Sequence, residues 1–480
     1  MIIGRKKEID ELNALYQSKK AELVAVYGRR RVGKTYLVDQ VYKGKFDFRH
    51  AGLSPIEMKN MSGSSPLRKQ LKHFYNSLLM QGMKKSRCPA DWLDAFLLLE
   101  QFLESKDTGE RILVFLDELP WLDTQRSGFV TAFEGFWNNW GCHKDNLMVV
   151  VCGSATTWIL DSLINNQGGL YDRVTYEIKL SPFSLAECEQ YFKSEKIKLS
   201  RYDIVCAYMA VGGIPYYLQY FKKGLSLPQN IDRLFFSKDA KLKNEYNRLF
   251  GSIFNRPEMM KAIVEVLSER NLGFTRNEIS EKTGYTAGGT LTDALNALVA
   301  SDFVVKYHPF GLNKKEWYYK LIDPFCIFHI KFASSGDTLN GSFWTHNNTS
   351  PRITIWRGFA FENVCFNHIE QIKSALGISG ISTTQSAWSK RADDEAGAQI
   401  DLIIDRADNV VNMCELKFYS NDFNVDRNYY RTLISRQELL GEMISQKKVI
   451  HQTLVTTYGL QYNEYSGVFD RVIIMDDLFK

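Results

Sequence analysis

One stretch of eight residues constrains this chain more than any other: Gly28-Arg29-Arg30-Arg31-Val32-Gly33-Lys34-Thr35, placed after the apolar run Leu23 to Tyr27 and before a helical pattern opening at Tyr36. Glycines at both ends let the backbone curl so that successive N–H groups point at one centre, and the helix start adds its positive dipole end. Arg29, Arg30, Arg31, Val32 and Tyr36 complete the cradle around Gly28 and Gly33. In that setting Lys34 would reach the β- and γ-phosphates of a nucleoside triphosphate and Thr35 would ligate Mg²⁺. A tight turn before a helix is the plain alternative.

The 480 residues are 45% apolar and 24% charged, enough for three or four globular domains. A net charge of +5 permits nucleic acid as a partner without demanding it. The eight cysteines contain no C-x-x-C pair, so neither a zinc ribbon nor a disulfide framework is predicted. No apolar run approaches the length of a membrane span, and Met1 to Lys7 leads into no signal-peptide core. The expectation is a cytoplasmic protein without a membrane segment.

Alternating strand and helix patterns continue to about residue 195 and predict a parallel sheet, with strands at 46–51, 112–116, 147–152 and 175–180. The strand Ile112 to Leu116 delivers Asp117-Glu118: Asp117 suits a Mg²⁺ ligand and Glu118 a base for the attacking water. Ser154, after the next strand, could sense the γ-phosphate. Arg173, after the turn Gly168 to Asp172, could stabilise transferring phosphate or form a surface ion pair.

Ile3-Gly4-Arg5-Lys6-Lys7-Glu8 resembles the N-terminal box of the AAA+ and STAND-type P-loop ATPases, which implies Gly4 and Arg5 near the adenine. Gly212-Gly213-Ile214-Pro215 is similar to a further motif of that group, implying Pro215 in a helical lid at the cofactor. Together the motifs resemble the archaeal-type ATPase family. The resemblance implies an α/β protein: a P-loop parallel-sheet ATPase core (1–195), helical lid (196–255), winged helix-turn-helix (256–333), linker (334–350) and restriction-endonuclease-like α/β domain (351–480).

The middle of the chain reads accordingly. Met260, Ile263, Val264 and Leu267 share a helix; Thr275 caps a second; a third follows Gly288-Gly289. Val304–Tyr307 and Trp317–Leu321 alternate as two strands around a tip with Lys314 and Lys315. If this unit reads DNA, Thr290, Thr292, Asp293 and Asn296 face the major groove; otherwise it passes signals between domains.

In the last quarter, Ile400-Asp401-Leu402-Ile403-Ile404 and Val410 to Lys417 predict a hairpin. Glu415 and Lys417, two apart, leave one face of their strand. Asp401, Glu415 and Lys417 so arranged resemble the PD-(D/E)XK nuclease superfamily. Asp401 and Glu415 are hard ligands for Mg²⁺, and Lys417 can orient water or stabilise charge on phosphate. Upstream, Ile355, Phe359, Phe366 and Ile369 predict one buried helix stripe containing Glu362, whose carboxylate then needs a metal or a salt bridge to Lys417 or Arg357. Gln437 resembles an accessory position faintly. The sequence therefore carries two readings: an ATPase that controls a Mg²⁺-dependent DNA endonuclease, with a homo-oligomer allowed, or a nucleotide-operated switch that grips DNA or protein without cutting.

Overall fold

The computed structural model describes residues 2–165, 168–170, 172–254, 256–311, 316–334, 341–390 and 398–480. The chain divides into two compact units, residues 1–181 with 249–255, and residues 182–248 with 256–480. This division is coarser than the five segments read from the sequence, and its first boundary falls at Ser181/Pro182. No helix among the described residues is long and apolar enough to cross a membrane.

The first unit is built on five strands: β1 (Glu22–Tyr27), β2 (Phe48–Ala51), β3 (Ile112–Asp117), β4 (Leu147–Gly153) and β5 (Tyr176–Lys179). They lie in the order β2-β3-β4-β1-β5, every neighbouring pair parallel. The three central strands are buried along their whole length, so both faces are covered and their sequences read as unbroken apolar runs. One core cluster joins Leu23, Ala25, Val114 and Val149 to Phe74, Trp92, Phe96, Phe129, Phe133 and Phe136 from flanking helices. Because the strands are parallel, the C-terminal ends of β1, β4 and β3 share one edge. β4 stands between the other two there, with Tyr27 paired to Gly153 and Leu116 to Val151.

The second unit begins with capped helices. Ser184, Ser200 and Ser226 each accept from the third backbone N–H of the helix they open, with Glu187, Asp203 and Gln229 reaching back. Gly213 lies so close to Phe183 that a Cβ would meet its carbonyl oxygen at 1.9 Å. Residues 257–321 form helices Pro257–Leu267, Arg276–Thr283 and Gly289–Ala300 with β6 (Phe274–Thr275), β7 (Val304–Tyr307) and β8 (Tyr318–Leu321), sheet order β6-β8-β7. Thr290, Asp293 and Asn296 are exposed on the third helix, while the hydroxyl of Thr292 accepts from Arg276 Nη1 at 3.0 Å. Lys314 and Lys315 lie outside the described residues.

The segment expected as a linker contains the helix Phe343–Asn347, whose Trp344 is buried. Asp232 holds it, accepting from Trp344 N at 2.7 Å and Thr345 N at 2.9 Å. Beyond it come the helix Pro351–Asn367, β9 (Thr383–Lys390), β10 (Ala398–Arg406), β11 (Val410–Lys417), the helix Arg427–Met443, β12 (Val449–Thr456) and β13 (Arg471–Ile474). The sheet runs β13-β12-β11-β10-β9: β9, β10 and β11 are antiparallel, β11, β12 and β13 parallel. A bulge interrupts the β10–β9 pairing between Ile400 and Ile403, a stretch that includes Asp401 and Leu402, the sort of irregularity that re-aims a side chain.

The stripe expected on Pro351–Asn367 requires correction. Ile355 is 63% exposed and Phe359 51% exposed, while Ile353, Trp356, Ala360, Phe361 and Val364 are buried. The apolar residues of this helix surround it, and the partners, Phe328 and Phe332 on Trp356 and Phe418 on Phe361, decide which of them face inward. Glu362 is buried nonetheless.

Candidate functional site

Lys34 opens the helix Lys34–Val41, preceded by Gly33 at φ 95° and Arg31 at φ 74°. Gly28 is bound by contact: a Cβ there would lie 2.4 Å from the carbonyl oxygen of Leu180. Lys34 is 5% exposed, and its ammonium donates to Gly28 O at 2.9 Å, Arg29 O at 3.0 Å and Ser154 Oγ at 3.1 Å, using all three protons. Burial pulls its pKa below the ordinary lysine value, and the Glu118 carboxylate works against that.

The hydroxyl of Thr35 donates to Asp117 Oδ2 at 2.9 Å. Burial first, and the Glu118 charge second, push the Asp117 carboxyl up to about 6. Glu118 has φ 47°, a strained left-handed backbone for a side-chain-bearing residue. Its oxygens are fixed by the end of β4: Ser154 Oγ donates at 2.5 Å and Ser154 N at 3.0 Å. The strand order explains this chain of contacts, since β4 places Ser154 between the loop after β1 and the carboxylate after β3.

The residues fit a magnesium nucleotide. A Cβ at Gly33 would meet nothing within 4 Å, so the loop is open on the side where phosphates would sit, and Thr35 with Asp117 is a pair of hard oxygen donors already in contact. Other expected residues sit less directly. Arg29 and Val32 are buried within the loop, Tyr36 is half exposed, and the Arg30 guanidinium lies 5.7 Å from the Trp121 ring. Gly4 has φ 60°, and Arg5, buried, donates to Ser181 O at 2.5 Å and stands 3.8 Å from Glu8. Arg173 is exposed in the turn before β5 and joins none of the Lys34, Ser154 and Glu118 contacts among the described residues. Pro215 is the first residue of the helix Pro215–Leu218 in the second unit.

The C-terminal cluster has a different character. Leu402 pairs with Cys414 across β10 and β11, which sets Asp401 beside Glu415 one step further along. Glu415, 4% exposed, is surrounded by donors: Lys417 Nζ at 2.6 Å, Arg436 Nη1 at 2.9 Å and the Tyr429 hydroxyl. Burial lowers the Lys417 ammonium and Glu415 raises it, the net being upward. Burial, then the Glu415 charge, raise Asp401. Burial, then Asp401, raise Glu362. Glu362 accepts from Asn271 Nδ2 and stands 3.9 Å from Lys320 Nζ, an ammonium that burial pulls down.

The four expected residues thus share one electrostatic neighbourhood, yet the metal expectation is not met as stated. Among the described residues no three His, Cys, Asp or Glu side chains stand together as a metal group. The reason is local: the Glu415 oxygens are taken by Lys417, Arg436 and Tyr429, and Glu362 turns to Asn271 and Lys320. Divalent metal does not fit this arrangement. The salt bridge to Glu362 comes from Lys320, not from the expected Lys417 or Arg357; the Arg357 guanidinium donates to Asn348. Sequence reasoning missed Lys320, Asn271, Arg436 and Tyr429. The last two had a signal, since Tyr429, Leu433, Arg436 and Leu440 recur at helical spacing on one face. Gln437, one residue away, instead accepts from Gln452 Nε2.

The chain is similar to several known proteins. Uncharacterized protein MJECL04 of Methanocaldococcus jannaschii is 23% identical over 449 residues, covering 92% of this chain and 93% of that one. An ATP-binding protein of the same organism, MJ0423, is 42% identical over 45 residues, 9% of this chain and 76% of its own. A solved structure, the Walker-type ATPase PABY2304 of Pyrococcus abyssi, matches with a TM-score of 0.44 at 18% identity, covering 69% of this chain and 96% of that one. Residues 2–221 match the family described as "ATPase domain predominantly from Archaea", so the N-terminal part of the chain is an archaeal-type P-loop ATPase domain.

Proposed function

We propose that the protein binds and hydrolyses ATP, with Mg²⁺, and acts on DNA through its second unit, the nucleotide state controlling a nuclease-like C-terminal domain. The observation that carries the ATPase half is the continuous path Lys34–Ser154–Glu118 beside Thr35–Asp117. Lys34 would exchange its loop carbonyls for phosphate oxygens, and Thr35 and Asp117 would hold the cation, which when bound neutralises charge on the phosphates. Glu118, fixed by Ser154, orients and deprotonates water. Ser154 touches both groups, so it reports phosphate at Lys34 to the base. Gly4, Arg5 and Pro215 are assigned to the nucleotide by resemblance, and Arg173 to the transferring phosphate, in its own subunit or a neighbour's.

For the second unit, the arrangement of residues 257–321 supports a winged helix-turn-helix, and the placement of Asp401, Glu415 and Lys417 on adjoining strands supports a restriction-endonuclease-like domain. DNA is the partner both suggest. The non-cutting switch is favoured by one observation, the enclosure of Glu415 by two cations and a phenol. Plasmid DNA incubated with the protein, ATP and Mg²⁺ or Mn²⁺ separates the readings: cutting that disappears in Lys417→Ala supports the nuclease, and intact DNA under both metals leaves the switch. For the ATPase half, Glu118→Gln should retain bound ATP without turning it over; unchanged turnover removes Glu118 as the base.

A further inference from the structure

Between Met58 and Ala90 the chain carries seven Lys or Arg residues and no Asp or Glu. The whole protein has a net charge of +5, so the remaining residues together are slightly acidic and this one segment holds the basic excess. The segment belongs to the first unit and is built around the helix Pro66–Met80. That helix buries Gln70, Leu71, Phe74, Tyr75 and Leu78. It turns Arg68, Lys72 and Asn76 to solvent at four-residue spacing, one face of the cylinder.

The loop that follows returns along the same helix instead of leaving it. Ser86 N donates to the Tyr75 hydroxyl at 3.1 Å, and that hydroxyl donates to Ser86 O. Lys85 and Arg87, exposed on either side of Ser86, are thereby tied to a helix position next to Asn76 and three from Lys72. The other end is fixed too. Lys69 Nζ donates to Met58 O at 2.8 Å, and the buried Gln70 amide accepts from Leu53 N at 3.0 Å and donates to Leu53 O at 2.8 Å and Trp121 O at 2.7 Å. The acids that come next in sequence are turned onto backbone: Asp91 accepts from Asp94 N at 2.9 Å, and Asp94 from Ala90 N at 3.1 Å. Among the described residues Lys59, Arg68, Lys72, Lys84, Lys85 and Arg87 form no salt bridge. A run of like charge is ordinarily a solvated loop; this one is held on a rigid scaffold with its counter-charge left out.

We propose that this face of the ATPase unit is a docking surface for the phosphate backbone of duplex DNA, gripped without regard to sequence. The inference goes beyond the reading above, which places DNA on the second unit. Duplex DNA presents one negative charge per about 1.7 Å of its axis, so a row of cations with no acid among them meets counter-charge along its whole length. Contacts that position a duplex by its backbone come from Lys, Arg, Ser and Asn side chains and from helix N-termini. Ser62, Ser64 and Ser65 stand exposed at the N-terminus of the same helix. A lipid surface fits worse, since an amphipathic helix lying on a membrane presents its apolar stripe outward. Here that stripe, Leu71, Phe74 and Leu78, belongs to the core of the first unit.

The test is duplex binding by the full chain, followed by fluorescence anisotropy of a labelled DNA of arbitrary sequence through a salt titration. Lys72→Glu, Lys85→Glu and Arg87→Glu together should weaken binding about tenfold or more at low salt. They should also flatten the slope of log affinity against log salt by about 3, at about 0.9 per lost phosphate contact. Lys19→Glu, Lys20→Glu and Lys43→Glu, at exposed lysines of the same unit, change the net charge equally and should cost far less. Equal weakening by the two sets, or none from the first, overturns the surface and leaves DNA on the second unit standing. A parent that binds no duplex at low salt removes both. Should the reversed protein fail to fold, Lys72→Gln, Lys85→Gln and Arg87→Gln repeat the titration: a flatter slope supports the surface, an unchanged one overturns it. Phosphatidylserine vesicles that bind the parent more tightly than the duplex would give this face to a membrane and overturn DNA as its occupant.

Discussion

The chain carries two groups of buried carboxylates, and they are satisfied in opposite ways. At the N-terminal site Asp117 accepts from the Thr35 hydroxyl and the Glu118 backbone N–H, and Glu118 is held by one serine, with the Lys34 protons spent on two loop carbonyls and that serine rather than on either carboxylate. At the C-terminal cluster Glu415 is enclosed by Lys417, Arg436 and Tyr429, and Glu362 by Asn271 and Lys320. The first arrangement leaves negative charge undercompensated and is completed by something added. The second is already neutral. Buried acid pairs alone do not make a ready site; what matters is whether the protein has supplied their counter-charge.

The largest effect separates the sites by chemistry. Glu118→Gln or Lys34→Ala should lower ATP hydrolysis by about 10²–10⁴-fold, the range for removing a positioned base or a fixed charge. Lys417→Ala should leave hydrolysis without DNA within about twofold, because its contacts lie wholly at the C-terminal cluster. Steady-state phosphate release decides. Equal losses in both variants would erase the distinction drawn here.

The next effect separates them by stability. Glu415→Gln leaves Lys417 and Arg436 facing a neutral group in a mostly buried setting, and breaking such a pair should cost about 3 kcal/mol. Asp117→Asn should do the reverse. The Asp117 carboxyl is raised from 3.8 to about 6, so its charge costs the nucleotide-free fold stability above that pH, and the cost fades as pH falls toward 4. At one unit per 1.4 kcal/mol the gain at pH 8 has a ceiling of about 3 kcal/mol. Thermal midpoints at pH 8 and pH 4.5 test this: Asn should raise the midpoint at the higher pH and do little at the lower. A midpoint lowered at pH 8 would show that Asp117 is already balanced.

The same contrast explains what could be read from the sequence. Gly28 to Thr35, Asp117-Glu118 and Ser154 are local signals: each lies at the end of an apolar run, and parallel strands bring such ends together whatever the intervening helices do. The strands β7 and β11 emerged with the bounds read from alternation, Val304–Tyr307 and Val410–Lys417. The counter-charges were not legible. Lys320 and Asn271 precede Glu362 by more than forty residues, and nothing in their own neighbourhoods marks them as buried. The exposed stripe on Pro351–Asn367 fails for a related reason: Ile355 and Phe359 have the right period, but Trp356 and Phe361 meet the aromatic partners. Periodicity states that a helix has a face, and distant residues choose which one.

The smallest effect concerns acid, and it sharpens the comparison by testing a buried group that wants no charge at all. His368 is buried in the second unit, its Nε2 accepting from Leu185 N at 2.9 Å while Nδ1 donates to Val364 O at 2.8 Å. The first bond requires the neutral ring, since a protonated Nε2 cannot accept, whereas the Nδ1–H donation is open to either form. Burial lowers its pKa from 6.5 to about 4. Above 6.5 the ring is neutral in the folded and unfolded chain alike, and its contribution is whole. As pH falls from 6.5 toward 4 the unfolded chain takes up a proton that the folded chain refuses, so stability drains across that window. Between pH 7 and pH 5 the loss from this one ring should be about 2 kcal/mol. His368→Gln keeps an acceptor for Leu185 N without titrating, so its midpoint should fall less than the parent's over the same interval. Parallel slopes in the two proteins would place the acid sensitivity elsewhere, first at His50 in the first unit, which burial lowers to about 3.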